Sequence, residues 1–549
     1  MKRFKNLPIL LVILIGFIPL FDLFHPGLPL THDGQDHVAR IANFYQNLTE
    51  GNIIPRWAGN LNWGYGHPIL MFLYPFPSYT ASMFHFLGFS LVDSVKIVFG
   101  LSFIASGFAM YAWLKEFLGI KAGFVGALLY MFAPYRFVDL YVRGAIGEHV
   151  AFVFPPLIFY FLFKLSRRFS KWYVIGGSLS LAGLLLSHNA ISLMFLPLIF
   201  LYVIYLLWKI KNKKQYLLHT TYYILLGLGL SAFFWFPAFF EGKYTLRDIV
   251  TAGEYSSRFT DFARFIYSPW NYGISGQFSL QVGVVHWISI ILAIPVIYLL
   301  YKKKNNLWVL GTAAFLLFWL SIFIMTPYSR IIWDNISLLQ KFQFPWRFMS
   351  VDVFATAVLG GLFFYILPNK FKSFVVLCFV VLILFFNKDY WHASGYLQKP
   401  DSFFTGIYNG TTDTGESSPI WSIRFMEKSP KKNIEVVSGE ANIRQISRRS
   451  TIHVYEINAA SKSRVLENTL YFPGWSVYVD GKEVDPEFQD PAHRGLMTFY
   501  VDEGTHAVSI KFGETKLRLF SNIISGISLA ILFFYIILNS KVWRQFRLF

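Results

Sequence analysis

The run Thr31-His32-Asp33-Gly34-Gln35-Asp36-His37-Val38-Ala39-Arg40 follows the first long apolar stretch and carries the residue types of a group-transfer site. Asp33, His37 and Arg40 fall at i, i+4 and i+7, so a helix presents them as one stripe, with Asp36 beside Arg40. A carboxylate at Asp33, or at Asp36 as its nearest substitute, suits removal of a proton from an acceptor hydroxyl. Arg40 or His37 suits the charge of a departing phosphate. Two carboxylates three residues apart also permit a hard-cation site for Mg²⁺ or Mn²⁺ without demanding one. The same spacing fits an amphipathic interfacial helix whose charges face water, and spacing alone leaves both readings open.

Further polar clusters punctuate the apolar sequence. Ile54-Pro55-Arg56-Trp57 and Asn62-Trp63-Gly64-Tyr65-Gly66-His67-Pro68 combine aromatic and glycine residues as sugar-binding loops do, with Arg56 and Tyr65 as contacts. An interfacial aromatic belt has the same composition. Glu148 and His149, which follow Arg143 in the second outer loop, open an apolar span, where charge is expensive, which favours a paired or functional role. His188 precedes Asn189 between two apolar runs and reads either as a ligand or as a helix-end polar pair. Arg347, in Phe344-Pro345-Trp346-Arg347, suits a lipid phosphate, while an arginine snorkelling from a helix end accounts for it equally.

Composition dictates what must position these groups. With 55% hydrophobic, 19% aromatic and 15% charged residues and a mean hydropathy of +0.45, the 549-residue chain is a polytopic membrane protein. About 20 apolar residues cross a bilayer, and twelve such runs are placed near 7–24, 94–114, 121–135, 150–164, 172–187, 190–208, 217–240, 283–301, 307–326, 348–368, 372–387 and 519–539. Lys2, Arg3 and Lys5 precede the first, which has no small-residue cleavage site and reads as a retained anchor. Every second loop is basic: Lys115 and Lys121; Lys164, Arg167, Arg168 and Lys171; Lys209, Lys211, Lys213 and Lys214; Lys302 to Lys304; Lys370 and Lys372; then Lys541, Arg544 and Arg547. The positive-inside rule makes these loops and both termini cytoplasmic. A span across Pro68–Leu91 would turn the later basic loops outward, so that stretch, broken by Pro75 and Pro77, reads as interfacial or re-entrant.

Three regions result: a membrane domain at 1–387 whose catalytic outer loop is about 25–92, a β-rich extracytoplasmic domain at 388–518, and a last helix with a basic tail at 519–549. The middle region alternates β-branched and polar residues through Thr451–Ile457, Ser476–Val479 before Asp480-Gly481, and His506–Lys511, the pattern of a β-sandwich or jelly roll. Between Lys388 and Arg518 there are 16 basic and 17 acidic residues, so the formal charge of +18 belongs to the membrane part. Topology and anionic lipid account for it, and nucleic acid is not an expected partner. The single cysteine, Cys378, lies in an apolar run and builds neither a disulfide framework nor a thiolate cage.

Taken in order, Asp33-x-x-x-His37-x-x-Arg40, Pro55-Arg56-Trp57, Gly64-Tyr65-Gly66-x-Pro68, Tyr141-x-Arg143-Gly144-Ala145-x-x-Glu148-His149, Ser187-His188-Asn189 and Phe344-Pro345-Trp346-Arg347 resemble the bacterial membrane family labelled 6-pyruvoyl-tetrahydropterin-synthase-related. Tyr471-Phe472-Pro473-Gly474-Trp475, Val479-Asp480-Gly481-Lys482 and Glu503-Gly504-Thr505-His506 resemble the outer C-terminal domain of membrane proteins that glycosylate lipoteichoic acid. The resemblance implies a multi-pass bacterial cell-membrane protein of GT-C-like fold. It further implies an inverting glycosyltransferase taking sugar from a polyprenyl-phosphate donor to an envelope glycan, glycolipid or protein acceptor. Asp33 carries over as the base, Arg40 or His37 as the phosphate partner, and Arg143 and Glu148 as the rest of the polar pocket. Pterin synthesis is not implied, since the soluble enzyme's histidine zinc cage has no counterpart spacing here. A glycolipid flippase would put ionisable residues deep in several spans, where this sequence has few. A non-catalytic scaffold binding envelope polymer through its β-domain is the other alternative.

Overall fold

In the computed structural model of the chain, residues 7–274 and 277–537 are described, so the basic residues Lys2, Arg3, Lys5, Lys541, Arg544 and Arg547 lie outside the described residues. Each of the twelve expected runs is helical. Among the described residues nine helices are long and apolar enough to cross a membrane: Leu7–Phe24, Leu91–Leu118, Ile146–Arg167, Asn189–Lys209, Val284–Lys302, Leu307–Met325, Pro345–Ile366, Asn369–Asn387 and Lys516–Ile537. Lys213–Leu230 and Ala232–Tyr244 reach the same length and apolarity only when taken together, as a broken span or a re-entrant loop. Ile120–Met131 and Lys171–Leu185, with 12 and 15 residues, are shorter than the bilayer core requires. Residues 68–90 hold only the short helices Pro68–Met71 and Phe76–Phe86.

The chain divides into two compact units interleaved in sequence. The first takes the described residues of Met1–Gly34, Lys96–Leu228 and Gly253–Gln398; the second takes those of Gln35–Val95, Gly229–Ala252 and Lys399–Phe549. In the first, Met349–Ile366 is the central helix, packed by Ile120–Met131, Val284–Lys302 and Leu307–Met325. Small residues permit that closeness, for a Cβ on Gly126 would lie 3.0 Å from the Ala357 carbonyl oxygen. Ile120–Met131 is buried from Ala122 to Met131, and so needs no bilayer-matching length to satisfy its apolar surface.

The second unit contains the β-rich module, in two antiparallel sheets. One runs in the order Ala441–Arg448, Ile452–Ala459, Gly504–Phe512, Trp475–Val479, Lys482–Val484; the other in the order Ile434–Ser438, Ser463–Leu470, Leu496–Val501. Alternation is literal in Ile452–Ala459, where His453, Tyr455, Ile457 and Ala459 are buried. Asp480 and Gly481, at φ 50° and 78°, make the two-residue turn of the expected hairpin. Glu467 of the three-stranded sheet accepts from Arg448 at 2.5 Å and His453 at 2.9 Å of the five-stranded one. Burial raises the Glu467 carboxyl, but these two partners more than offset it and hold the group down at about 2.

Arg518 anchors the last helix to this module. It bonds the Glu241 carboxylate at 2.8 Å through Nε, the Pro473 carbonyl at 2.6 Å through Nη2 and the Gly513 carbonyl at 3.2 Å through Nη1. Removing one partner of a buried ion pair strands the other charge. Arg518→Ala is expected to cost roughly 3–5 kcal/mol, read as a large fall in the thermal midpoint of the protein in detergent. Arg444→Ala, which breaks an exposed pair with Glu456, should cost no more than ~1 kcal/mol.

Candidate functional site

Two polar clusters, one in each unit, contain most of the residues singled out by sequence. The first is built around Arg143. After the Pro134–Phe137 turn the chain forms a π-helical turn, Val138–Arg143, which ends at Gly144 in the left-handed region, φ 66°. This brings Asp139, Arg143 and, from the next helix, Glu148 together. Arg143 Nη1 lies 2.6 Å from Asp139 Oδ1, 2.8 Å from Glu148 Oε2 and 3.1 Å from the Tyr135 hydroxyl. Glu148 Oε1 accepts from Tyr135 at 2.7 Å and from Ser350 at 2.9 Å. Among the described residues, Arg143 Nε and Nη2 have no protein acceptor. Burial, and then the Glu148 charge, push the Asp139 carboxyl well above the usual carboxylate range, so the pair retains a proton rather than leaving two buried anions on one guanidinium.

Asp33 reaches this cluster through the backbone. Its N–H donates to the Arg143 carbonyl at 2.9 Å, and that of His32 to Val142 at 3.0 Å. Thr31 Oγ1 accepts from Gly34 N at 3.1 Å, closing the turn that leads into the helix Gly34–Thr49. A Cβ on Gly144 would lie 2.3 Å from that same Thr31 Oγ1, so glycine there serves both the left-handed turn and the approach of the Asp33 loop. The Asp33 carboxylate is exposed and makes no hydrogen bond among the described residues. It precedes the helix, so the expected stripe begins without it.

His188 and Arg347 belong to the same unit. His188 Nδ1 accepts from Ile191 N at 3.2 Å, which puts the ring proton on Nε2. Burial pushes its imidazole down to about 3, opposed by the Glu148 charge and reinforced by Arg347 and Arg143, so at neutral pH it is an uncharged donor. Arg347 donates through Nη1 to the Phe342 carbonyl at 2.8 Å and lies over the Phe344 ring at 4.9 Å, leaving a buried Nε without a protein partner. His149 points elsewhere, stacked on Phe103 with ring centroids 6.0 Å apart. Tyr135, Asp139 and Ser350 were not singled out from sequence. Asp139, four residues before Arg143, is the one that helical spacing could have found.

The second cluster lies on the Gly34–Thr49 helix from Gln35 onward. Arg40 Nη1 meets His37 Nδ1 at 2.9 Å, as their spacing predicts. Its Nε bonds the Thr412 hydroxyl at 3.2 Å, and its Nη2 donates to the Thr412 carbonyl. Asp36 accepts from the Tyr408 hydroxyl at 2.6 Å, which also accepts from Gln35 at 2.9 Å. The guanidinium and the carboxylate are thus engaged by residues near 410. Nearby, His67 Nε2 meets Ser418 Oγ at 3.1 Å, and burial pushes its imidazole down to about 4, opposed by Asp413 and reinforced by Arg40. Arg56 is a clamp, bonding Glu514 and Asn522 at 2.8 Å each and the Phe233 carbonyl at 3.3 Å.

Tyr65 lines a cavity of about 230 Å³ with Trp57, Trp63, Asn60, Asn433 and Arg448. Its shape depends on unusual backbone. Asn62 and Trp63 are left-handed, at φ 54° and 61°, and Gly66, at φ 79°, lets the Trp57 indole approach to 2.4 Å of where a Cβ would stand. Aromatic faces with amide and guanidinium donors are the surface that sugar rings stack on and bond to. Among the described residues no group of three His, Cys, Asp or Glu side chains stands close enough to hold a metal ion.

Residues 70–393 match the family described as a 6-pyruvoyl-tetrahydropterin synthase related domain of membrane proteins. The chain is 26% identical over 332 residues to an uncharacterised protein of Lactococcus lactis subsp. cremoris (strain MG1363), covering 56% of this chain and 52% of that protein, so the match spans about half the relative's length. Among solved structures it is similar to the Archaeoglobus fulgidus oligosaccharyltransferase in complex with zinc and sulfate, at 13% identity over 75% of this chain and 58% of that one, TM-score 0.43. The corresponding values are 13%, 72%, 27% and 0.39 for the arabinofuranosyltransferase AftD from Mycobacteria, and 12%, 69%, 63% and 0.38 for ArnT from Cupriavidus metallidurans bound to undecaprenyl phosphate.

Two outcomes follow from the geometry. Gly144→Ala should destabilise the protein by about 1–3 kcal/mol in detergent melts, whereas Gly481→Ala, whose Cβ would meet nothing within 4 Å, should cost only the strain of its positive φ. His67 is neutral in the fold while an unfolded histidine protonates near 6.5. Stability is therefore full above about 6.5 and falls by ~3 kcal/mol as pH drops to about 4. His67→Gln should flatten that segment of a melting-temperature profile.

Proposed function

We propose that this chain, which belongs to the family of membrane proteins carrying the 6-pyruvoyl-tetrahydropterin synthase related domain, is a GT-C type inverting glycosyltransferase. It moves a sugar from a polyprenyl-phosphate-linked donor to a cell-envelope acceptor on the outer face of the membrane. The observation that carries this reading is the pairing of an exposed, unbonded Asp33 carboxylate with the Arg143 loop that holds its amide. Arg143 is fixed through one nitrogen by buried carboxylates and keeps Nε and Nη2 for a phosphate.

In this mechanism the Asp33 carboxylate accepts the proton of the acceptor hydroxyl as its oxygen attacks the anomeric carbon. The bond from that carbon to the phosphate oxygen breaks, and the phosphate leaves as a dianion opposite Arg143. Glu148, Tyr135 and Ser350 orient the guanidinium, and the neutral His188 is a hydrogen-bond donor. Within the second unit Asp36, His37 and Arg40 order the segment near 410, and the aromatic cavity around Trp63 and Tyr65 has the surface to bind a glycan on its own account. A divalent cation on Asp33 or Asp36 would have few protein ligands, so no step is assigned to it. The N- and C-termini are cytoplasmic and the β-rich module faces outward.

The test is sugar transfer from defined polyprenyl-phosphate donors by the purified full-length protein. Asp33→Asn should lower turnover by roughly 10²–10⁴-fold with donor binding intact, while Asp36→Asn, which keeps a partner for Tyr408, should lose far less. Unchanged turnover in Asp33→Asn sinks the assignment of the base, and lipid movement without transfer favours a flippase.

A further inference from the structure

We propose that the first unit holds a second ligand site, a pocket for the phosphate headgroup of an anionic membrane lipid, at the helix ends remote from Arg143. An open cavity of about 1040 Å³ lies there. Three spans connect the two ends. Glu148 opens the helix that finishes at Arg167, His188 caps the helix that finishes at Lys209, and Arg347 opens the helix that finishes beside Tyr365; Arg167, Lys209 and Tyr365 all line the cavity. At 1.5 Å per residue the two ends of Ile146–Arg167 are roughly 30 Å apart, so this cavity is separate from the Arg143 cluster.

Charge and shape both select the ligand. The rim carries Arg167, Arg168, Lys209 and Lys211. Its carboxylate, Glu116, is engaged by Lys164 at 3.0 Å, a residue outside the lining. Among the described residues Arg167, Arg168 and Lys211 make no ion pair, and Arg167 is held over the Phe163 ring at 5.1 Å. Free cations at the ends of apolar spans lie where lipid phosphates are found.

Apolar and aromatic groups share the lining with these cations. Tyr202 and Leu206 are buried, and Tyr202 stands seven residues, about 10 Å, up the span from Lys209. Trp208 and Phe169, at 58% and 43% exposure, add greasy surface to the rim. An inorganic anion would fill a small part of this volume and leave these rings wet. A lipid covers them with its glycerol and acyl chains while its phosphate meets the arginines. The same basic residues also serve membrane orientation, which the test separates.

The full-length protein in neutral detergent is titrated with phosphatidylglycerol or phosphatidylcholine carrying brominated acyl chains, and tryptophan quenching is followed. Phosphatidylglycerol is expected to quench at about ten-fold lower concentration, with the difference lost in Trp208→Phe. Arg167→Gln with Lys209→Gln should raise the half-quenching concentration about 30-fold, the worth of two cations at a lipid surface. Lys213→Gln with Lys214→Gln, which removes equal charge from outside the cavity, should leave it unchanged. Equal quenching by the two lipids, equal losses in the two double variants, or displacement of phosphatidylglycerol by millimolar inorganic phosphate would overturn the proposal. The wild-type and Trp208→Phe comparison decides it even where the charge variants do not fold.

Discussion

A guanidinium held on one nitrogen by Asp139, Glu148 and Tyr135 is the constraint around which the first unit is arranged. Buried carboxyl groups are costly as anions unless paired, and here one guanidinium meets two of them, the pair keeping a proton. Doing so requires the π-helical turn, which widens the backbone enough for residues 135, 139, 143 and 148 to converge, and π-turns concentrate where function needs such geometry. Gly144 then releases the chain into Ile146–Arg167 and makes room for the loop bearing Asp33. One ion cluster thereby fixes the backbone of two loops and the start of a span.

The second unit solves its polar problem differently. Its cations are satisfied by hydroxyls and carbonyls as well as by carboxylates: Arg40 by Thr412, and Arg518 by Pro473 and Gly513 along with Glu241. Such contacts align segments without leaving a guanidinium edge open. Arg56 and Arg40, equal to Arg143 as residue types, have every guanidinium nitrogen engaged, whereas two nitrogens of Arg143 have no protein acceptor among the described residues.

What the sequence makes legible is what local periodicity controls. Apolar runs mark the long helices, alternation marks the Ile452–Ala459 strand, Asp480-Gly481 marks the turn between Trp475–Val479 and Lys482–Val484, and the three-residue offset of His37 and Arg40 predicts their contact. What it hides is partnership across distance. Nothing local says that Asp36 will meet Tyr408, Arg40 Thr412, or Glu148 Ser350, because hundreds of residues intervene. Asp36 and Arg40, set side by side by their spacing, each bond a remote partner, Tyr408 and Thr412. Length is hidden too: Ile120–Met131 is apolar enough to look like a span, and only its burial explains why it is short.

The bond between Glu241 and Arg518 joins residues 277 positions apart, and the chain is made from one end to the other. During synthesis the Glu241 carboxylate therefore emerges long before its cation exists, and it has no such partner while most of the β-rich module is still untranslated. Closure of the second unit is thus a late event, tied to arrival of the final helix. A ribosome that stalls before residue 518 would release a chain whose earlier spans are complete but whose acidic anchor has nothing to hold.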